Sequence, residues 1–149
     1  MTALRRAFGG ASIVWASALP LASLAASRPA LPSAVYLLTL TVYAIGSMIC
    51  HQRPERSFYL WSHQMPVCAR CTGIYAGAAL AVLLSLGARR LQPGVSRSPR
   101  GVALLALAPT IATLVYEWTT GVMPSNWIRA ASGVCLGIGV ASLIQREVN

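Results

Sequence analysis

Long apolar runs bounded by arginine constrain this chain more than any other feature. A bilayer core about 30 Å thick is crossed by roughly 20 apolar residues of helix. Five runs approach that length, from Ala7 to Ser27, Ser33 to Ile49, Val67 to Ala88, Gly101 to Thr120 and Ile128 to Ile144. The second and fifth, each of about 17 residues, must stand nearly upright to span. Only 10% of the 149 residues are charged and 56% are hydrophobic, whereas a soluble domain carries about 25% charged residues with which to cover its surface. The surplus apolar surface faces lipid. The expected fold is all-α, a polytopic transmembrane helical bundle of about five helices forming one domain over residues 1–149, with a polar loop at 50–66 between helices two and three.

The first run has a second interpretation. Arg5 and Arg6, an apolar stretch and then Ala25, Ala26 and Ser27 also fit a cleavable signal peptide. The run exceeds the apolar region of about 7 to 15 residues in such leaders, so a retained helix is expected. The net charge of +9 comes from twelve Arg against three Glu, with no Lys and no Asp. A nucleic-acid footprint needs those arginines on one folded face. Here they punctuate the gaps between runs, which is a pattern of membrane topology and not of nucleic-acid binding. If all five runs cross, Arg28, Arg89, Arg90, Arg97, Arg100 and Arg146 share one side and Arg5, Arg6, Arg53, Arg56, Arg70 and Arg129 the other, six against six. Treating the last four as functional groups puts the first side in the cytoplasm, the chain in the cytoplasmic membrane and the polar loop on the extracytoplasmic side.

Within the runs, Gly73 with Gly77 and Gly133 with Gly137 recur at the interval that lets helices approach closely in lipid. Pro20 and Pro109 are expected to kink their helices.

Between Cys50 and Thr72 the composition changes abruptly, and both histidines, three of the four cysteines and one of the three acids fall there. A mere connector would be shorter and built of turn residues. The Cys68-x-x-Cys71 spacing lets two sulfurs reach one ion or each other, and Cys50 with a histidine completes a tetrahedral set of the kind zinc prefers. Neighbouring Cys50 and His51 are awkward on a single ion, so Cys50, His63, Cys68 and Cys71 are the metal candidates and zinc the expected cofactor. Other uses of the thiols stay open. One is a membrane thiol-disulfide oxidoreductase in which Cys68, at a helix start and near Arg70, is a thiolate partnered by Cys71, with a quinone as acceptor. Another is a structural disulfide on an extracytoplasmic face, and a third is inert thiols. Haem attachment is excluded, because Thr72 follows Cys71 where a His is required. Cys135 is expected to be a small packing residue in the fifth helix.

The gap from Val122 to Trp127 falls on the same side as the Cys/His segment, so Glu117, ending the fourth run, and Arg129, opening the fifth, can join it. An ionisable group inside a span normally finds a partner. Glu117 with Arg129, or either with Arg56, Arg70 or Glu55, meets that need as a tie between helices. The remaining positive charge, on Arg53, Arg56 and Arg70, suits an anionic small molecule or a lipid headgroup, and arginines that snorkel to lipid fit the pattern equally well. His51, Gln52, Glu55, Gln64 and Asn126 complete the candidate binding set. Tyr59, Trp61, Trp118 and Trp127 have the placement of an interfacial aromatic belt.

The strings Cys50-His51-Gln52, Pro54-Glu55-Arg56-Ser57-Phe58, His63-Gln64 and Pro66-Val67-Cys68-Ala69-Arg70-Cys71-Thr72-Gly73-Ile74-Tyr75 resemble a family of small prokaryotic membrane proteins classed only as a domain of unknown function. Ser125-Asn126, Arg129 and Ser132-Gly133 resemble its second polar stretch, and the similarity extends over about 100 residues from the second run to the fifth. It implies an integral membrane protein and supplies no activity. The expectation is therefore a membrane protein with a Cys/His site and an Arg-rich pocket on one face, in contact with the bilayer, with the oxidoreductase as its rival. No Ser-His-Asp set, phosphate-cradling loop or paired carboxylates point to hydrolysis. A channel is disfavoured by the scarcity of charge within the runs unless several subunits build a path, and a homo-oligomer stays open.

Overall fold

The computed structural model describes residues 3–87 and 98–147. It contains α1 (Ala3–Ala26), α2 (Ser33–Ile49), a 3-10 turn (Pro54–Arg56), a hairpin of β1 (Ser57–Leu60) and β2 (His63–Cys68), α3 (Ala69–Gly87), α4 (Pro99–Thr120) and α5 (Asn126–Glu147). Helix ends follow local chemistry. Pro99 opens α4, where its missing N–H orphans nothing, and Ser98 Oγ accepts the Gly101 N–H at 3.1 Å. The same helix stops at Gly121, whose φ of 68° is left-handed and whose N–H donates to the Glu117 carbonyl at 3.0 Å. Pro20 and Pro109 lie within α1 and α4 without ending them.

Glycine fixes the central seam. A Cβ on Gly73 would collide with the Ala130 carbonyl and one on Gly77 with that of Val134. On the facing helix, Gly133 lies against the Arg70 carbonyl and Gly137 against that of Ile74. Each helix thus presses its own glycines onto the other's backbone, the close approach that substitutes for hydrophobic drive in lipid. Residue numbers rise together across this seam, so α3 and α5 are parallel. Gly9 touches Val82, and the Trp15 and Tyr75 rings meet edge-on at 6.0 Å, so α1 runs antiparallel to α3. Glu117 pairs with Arg129 while Ala106 meets Gly139, so α4 runs antiparallel to α5.

These directions correct the expectation of five crossings. The helix α2 starts just past the end of α1 and finishes at Cys50, beside Cys68 at the head of α3. Both places lie at the same end of the bundle, so α2 does not carry the chain across. Four helices, α1, α3, α4 and α5, are long and apolar enough to span a membrane, whereas α2 has 17 residues. Arginine is redistributed accordingly. Arg28 joins Arg53, Arg56, Arg70 and Arg129 at the site end, and Arg5 and Arg6 join Arg100 and Arg146 at the other. Arg89, Arg90 and Arg97, counted with the first side above, fall outside the described residues. Among the described residues the arginines therefore divide five at the site end and four at the other.

The polar loop is also more ordered than expected, and Val67, read as part of the third helix, belongs to a strand. Ser57 pairs with Cys68, Tyr59 with Gln64 and Leu60 with His63, with a bulge between Ser57 and Tyr59. Trp61 and Ser62 form the turn with φ of 51° and 62°, the doubly left-handed geometry of a tight two-residue hairpin, normally signalled by Asn-Gly. Met65, Pro66 and Val67 of β2 are buried, and Met65 and Val67 join a core with Leu19 and Ala22 of α1 and Val42 of α2.

Candidate metal centre

Three sulfurs meet where α2, β2 and α3 converge. Cys50 is the residue that ends α2, Cys68 is the last residue of β2, and Cys71 lies in the first turn of α3. Their Sγ atoms all lie within 4.8 Å of one another. A tetrahedral zinc with Zn–S bonds of about 2.3 Å holds its sulfurs about 3.8 Å apart, so small side-chain adjustments would close the trio on one ion. Cys50 is buried and Cys68 and Cys71 are half-buried, and all are free thiols. The Cys68 N–H donates to Cys50 Sγ at 3.2 Å, which orients that sulfur toward its partners. The Cys71 thiol, hydrogen-bonded to Cys68, holds the Cys68 thiol well below the ordinary range, against the opposing effect of burial.

The trio forms one wall of a cavity of about 370 Å³ that is also lined by His51, Gln52, Arg53 and Arg56. His63, placed with the sulfurs on sequence grounds, is elsewhere. It stands at the tip of the hairpin, with Nδ1 at 3.1 Å from the Trp61 carbonyl, and lines a separate cavity with Ala26, Arg28, Ser33 and Tyr36. The reason is strand geometry. Five residues of extended chain at about 3.3 Å each carry His63 some 16 Å from Cys68. Cys135 is exposed on α5, not packed as expected, and stands apart from the trio.

The second polar cluster adjoins the first. Glu117 Oε1 accepts from Arg56 Nη2 and Oε2 from Arg129 Nη2, each at 2.7 Å. The carboxylate thereby ties the 3-10 turn, α4 and α5 together. Arg70 Nη2 donates to Thr113 Oγ1 at 3.0 Å. Thr113 lies four residues before Glu117 on the same helix face, and the sequence reading did not flag it. Glu55 is exposed on the 3-10 turn and takes no part in these ion pairs.

Gln52, Gln64 and Asn126 spend their amides on the backbone. Gln52 Nε2 donates to the Tyr43 carbonyl at 3.1 Å and the Pro66 carbonyl at 2.5 Å. Gln64 Nε2 donates to the Gln52 carbonyl at 2.6 Å, and Asn126 Nδ2 to the Ser57 carbonyl at 3.1 Å. Tyr43 Oη, another contributor the sequence did not flag, donates to the Gln64 carbonyl at 2.6 Å. A hairpin packed among apolar helices has few waters to satisfy its carbonyls, and these side chains do so instead. Tyr59, Trp61, Trp118 and Trp127 are exposed, each at least 54%.

Residues 50–143 match the model of a family described as "Predicted membrane protein (DUF2085)". The chain belongs to this family. Both sulfur-bearing segments and the Glu117–Arg129 pair fall inside the matched region. Two archaeal relatives are similar, each described only as an uncharacterized protein. One, from Methanothermobacter thermautotrophicus, is 40% identical over 98 residues, covering 64% of this chain and 83% of the relative. The other, from Methanocaldococcus jannaschii, is 47% identical over 47 residues, covering 32% of this chain and 30% of the relative. No solved structure matches.

Proposed function

We propose that this membrane protein binds one thiophilic metal ion through Cys50, Cys68 and Cys71, in a site opening onto the arginine-lined cavity. The observation that carries the reading is the meeting of three sulfurs from three separate elements within 4.8 Å. Soft thiolate ligands select zinc, copper(I) or iron-sulfur chemistry, and zinc, the ion expected from the sequence, would take its fourth ligand from solvent, since His63 lies in another cavity. Arg53 and Arg56 on the cavity wall suit an anionic small molecule or headgroup approaching that ion. The site is assigned to the extracytoplasmic face of the cytoplasmic membrane, because once the site's own Arg53, Arg56, Arg70 and Arg129 are set aside the end holding Arg5, Arg6, Arg100 and Arg146 is the one expected to remain in the cytoplasm. Elemental analysis of protein purified without added metal, with free-thiol counts before and after chelation, tests the metal reading. About one ion per chain, with three thiols released by chelator, supports it, and three freely reactive thiols with no ion bound at any metal concentration reject it.

A second reading rests on the Cys68 and Cys71 sulfurs, within 4.8 Å of each other at the start of α3, with the Cys68 thiol held low by its neighbour. A thiolate next to a second thiol is equipped for disulfide exchange. The pair, one thiolate and one thiol, would give up two electrons and one proton on closing to a disulfide. A quinone as acceptor would take both electrons, that proton and a second one from solvent to become a quinol. Metal-free protein in which Cys68 and Cys71 cycle reversibly between dithiol and disulfide would favour this reading.

A further inference from the structure

Coordination number and charge at the sulfur trio point to the same kind of ion. Among the described residues three donors come together in the group, the Sγ atoms of Cys50, Cys68 and Cys71, and His51 lines the same cavity without joining them. His63 lies in another cavity, and both oxygens of Glu117 are engaged by guanidinium groups. Zinc in structural sites takes four ligands. Copper(I), a soft closed-shell ion, is satisfied by three thiolates arranged as a triangle.

The charge of the surroundings is the second observation. Arg56, Arg70 and Arg129 gather with a single carboxylate, Glu117, among them. Arg129 is only 4% exposed, and the Nε atoms of all three arginines are buried without a partner. Three positive charges and one negative leave an excess of two, and although the Arg56 side chain is 35% exposed, the other two, part-buried Arg70 and buried Arg129, sit where unpaired charge is costly. Arg53, being exposed, is screened by solvent and falls outside this balance. Copper(I) bound to three thiolates carries two negative charges, whereas zinc bound to three thiolates carries one.

We propose that the site is built for copper(I), the arginines serving as counter-charges to a dianionic copper-trithiolate centre. This deepens the metal reading above and depends on it. Binding transfers no electron. One Cu⁺ replaces whatever protons remain on the three sulfurs, three Cu–S bonds form, and the displaced protons go to solvent.

The test is affinity by competition with chromophoric chelators, for copper(I) under anaerobic conditions and separately for zinc, on the full chain in detergent and its Arg70→Gln and Arg70→Lys variants. Arg70 is chosen because Thr113 is its hydrogen-bond partner and it makes no ion pair with Glu117. The expected result is one copper(I) per chain with thiolate-to-copper absorption. Arg70→Gln should weaken copper(I) on the order of tenfold, as removal of a nearby unit charge would at an effective dielectric of about 20, and weaken zinc by distinctly less. Arg70→Lys, which keeps the charge, should stay within about twofold of the parent. Equal shifts for both metals, or no shift for copper(I), overturn the charge-matched copper centre while leaving a metal site standing. Failure of the parent chain to bind either metal removes the underlying reading.

Discussion

Replacing Glu117 by Gln removes the one carboxylate that two arginines share while keeping its size. The two arms differ in burial: the Arg129 side chain is 5% exposed and that of Arg56 35%. Breaking a buried ion pair so that one charge is stranded costs about 3–5 kcal/mol, and that figure applies to Arg129. The Arg56 arm can turn to solvent and is worth about 0–1 kcal/mol after screening. A Gln amide can accept from one guanidinium but turns an N–H toward the other. Glu117→Gln is therefore expected to destabilise the folded chain by about 3–5 kcal/mol, nearly all of it through Arg129. Arg56→Gln should cost about 0–1 kcal/mol. Arg129→Gln should fall between them, since Glu117 retains Arg56. Equilibrium unfolding in mixed micelles with rising SDS fraction, followed by helical circular dichroism, measures all three. A Glu117→Gln loss below about 1 kcal/mol, or an Arg56→Gln loss as large as it, would contradict the assignment of Arg129 as the stranded charge.

Three further outcomes are expected. Gly137→Val drives a side chain into the Ile74 carbonyl, whereas Gly10→Ala meets nothing within 4 Å; the same unfolding assay should show a loss of about 1–3 kcal/mol for the first and a gain of up to about 1 kcal/mol for the second. Gln52→Leu leaves the Tyr43 and Pro66 carbonyls without their side-chain donor, for about 1–3 kcal/mol, and hydrogen exchange should quicken in residues 57–68 before it does in the α3–α5 seam. In metal-free protein, Cys68 stays a thiolate below the ordinary thiol range and loses that charge only as pH falls through its lowered pKa. Its alkylation by iodoacetamide should accordingly persist at pH values where a free cysteine is slow, and Cys71→Ala should move the profile upward.

Helices were legible because lipid imposes length and apolarity on every span, and the glycine pairs announced the seam they form. The mistake over α2 has a physical origin. An apolar helix of 17 residues is long enough to be read as a short span, and only the packing of its end against Cys68 shows that it turns back. The hairpin was hidden for two reasons. Its turn is Trp61-Ser62, which carries none of the usual Gly or Asn signal, and β2 buries three consecutive residues instead of alternating. That strand also undid the His63 assignment, since a ligand chosen by sequence proximity was carried away by extended backbone. The Cys50, Cys68 and Cys71 grouping and the Glu117–Arg129 tie were readable because each follows from where helices begin and end. Arg70 in contact with Thr113, and the backbone duties of Gln52, Gln64 and Tyr43, required the tertiary fold.

X-ray absorption at the K edge of whatever metal the purified chain carries interrogates the three-sulfur centre most directly. A first shell of three sulfurs at about 2.3 Å, falling to two when any one of Cys50, Cys68 or Cys71 becomes Ser, is the expected spectrum. A shell dominated by nitrogen and oxygen, or one indifferent to loss of Cys50, would contradict it.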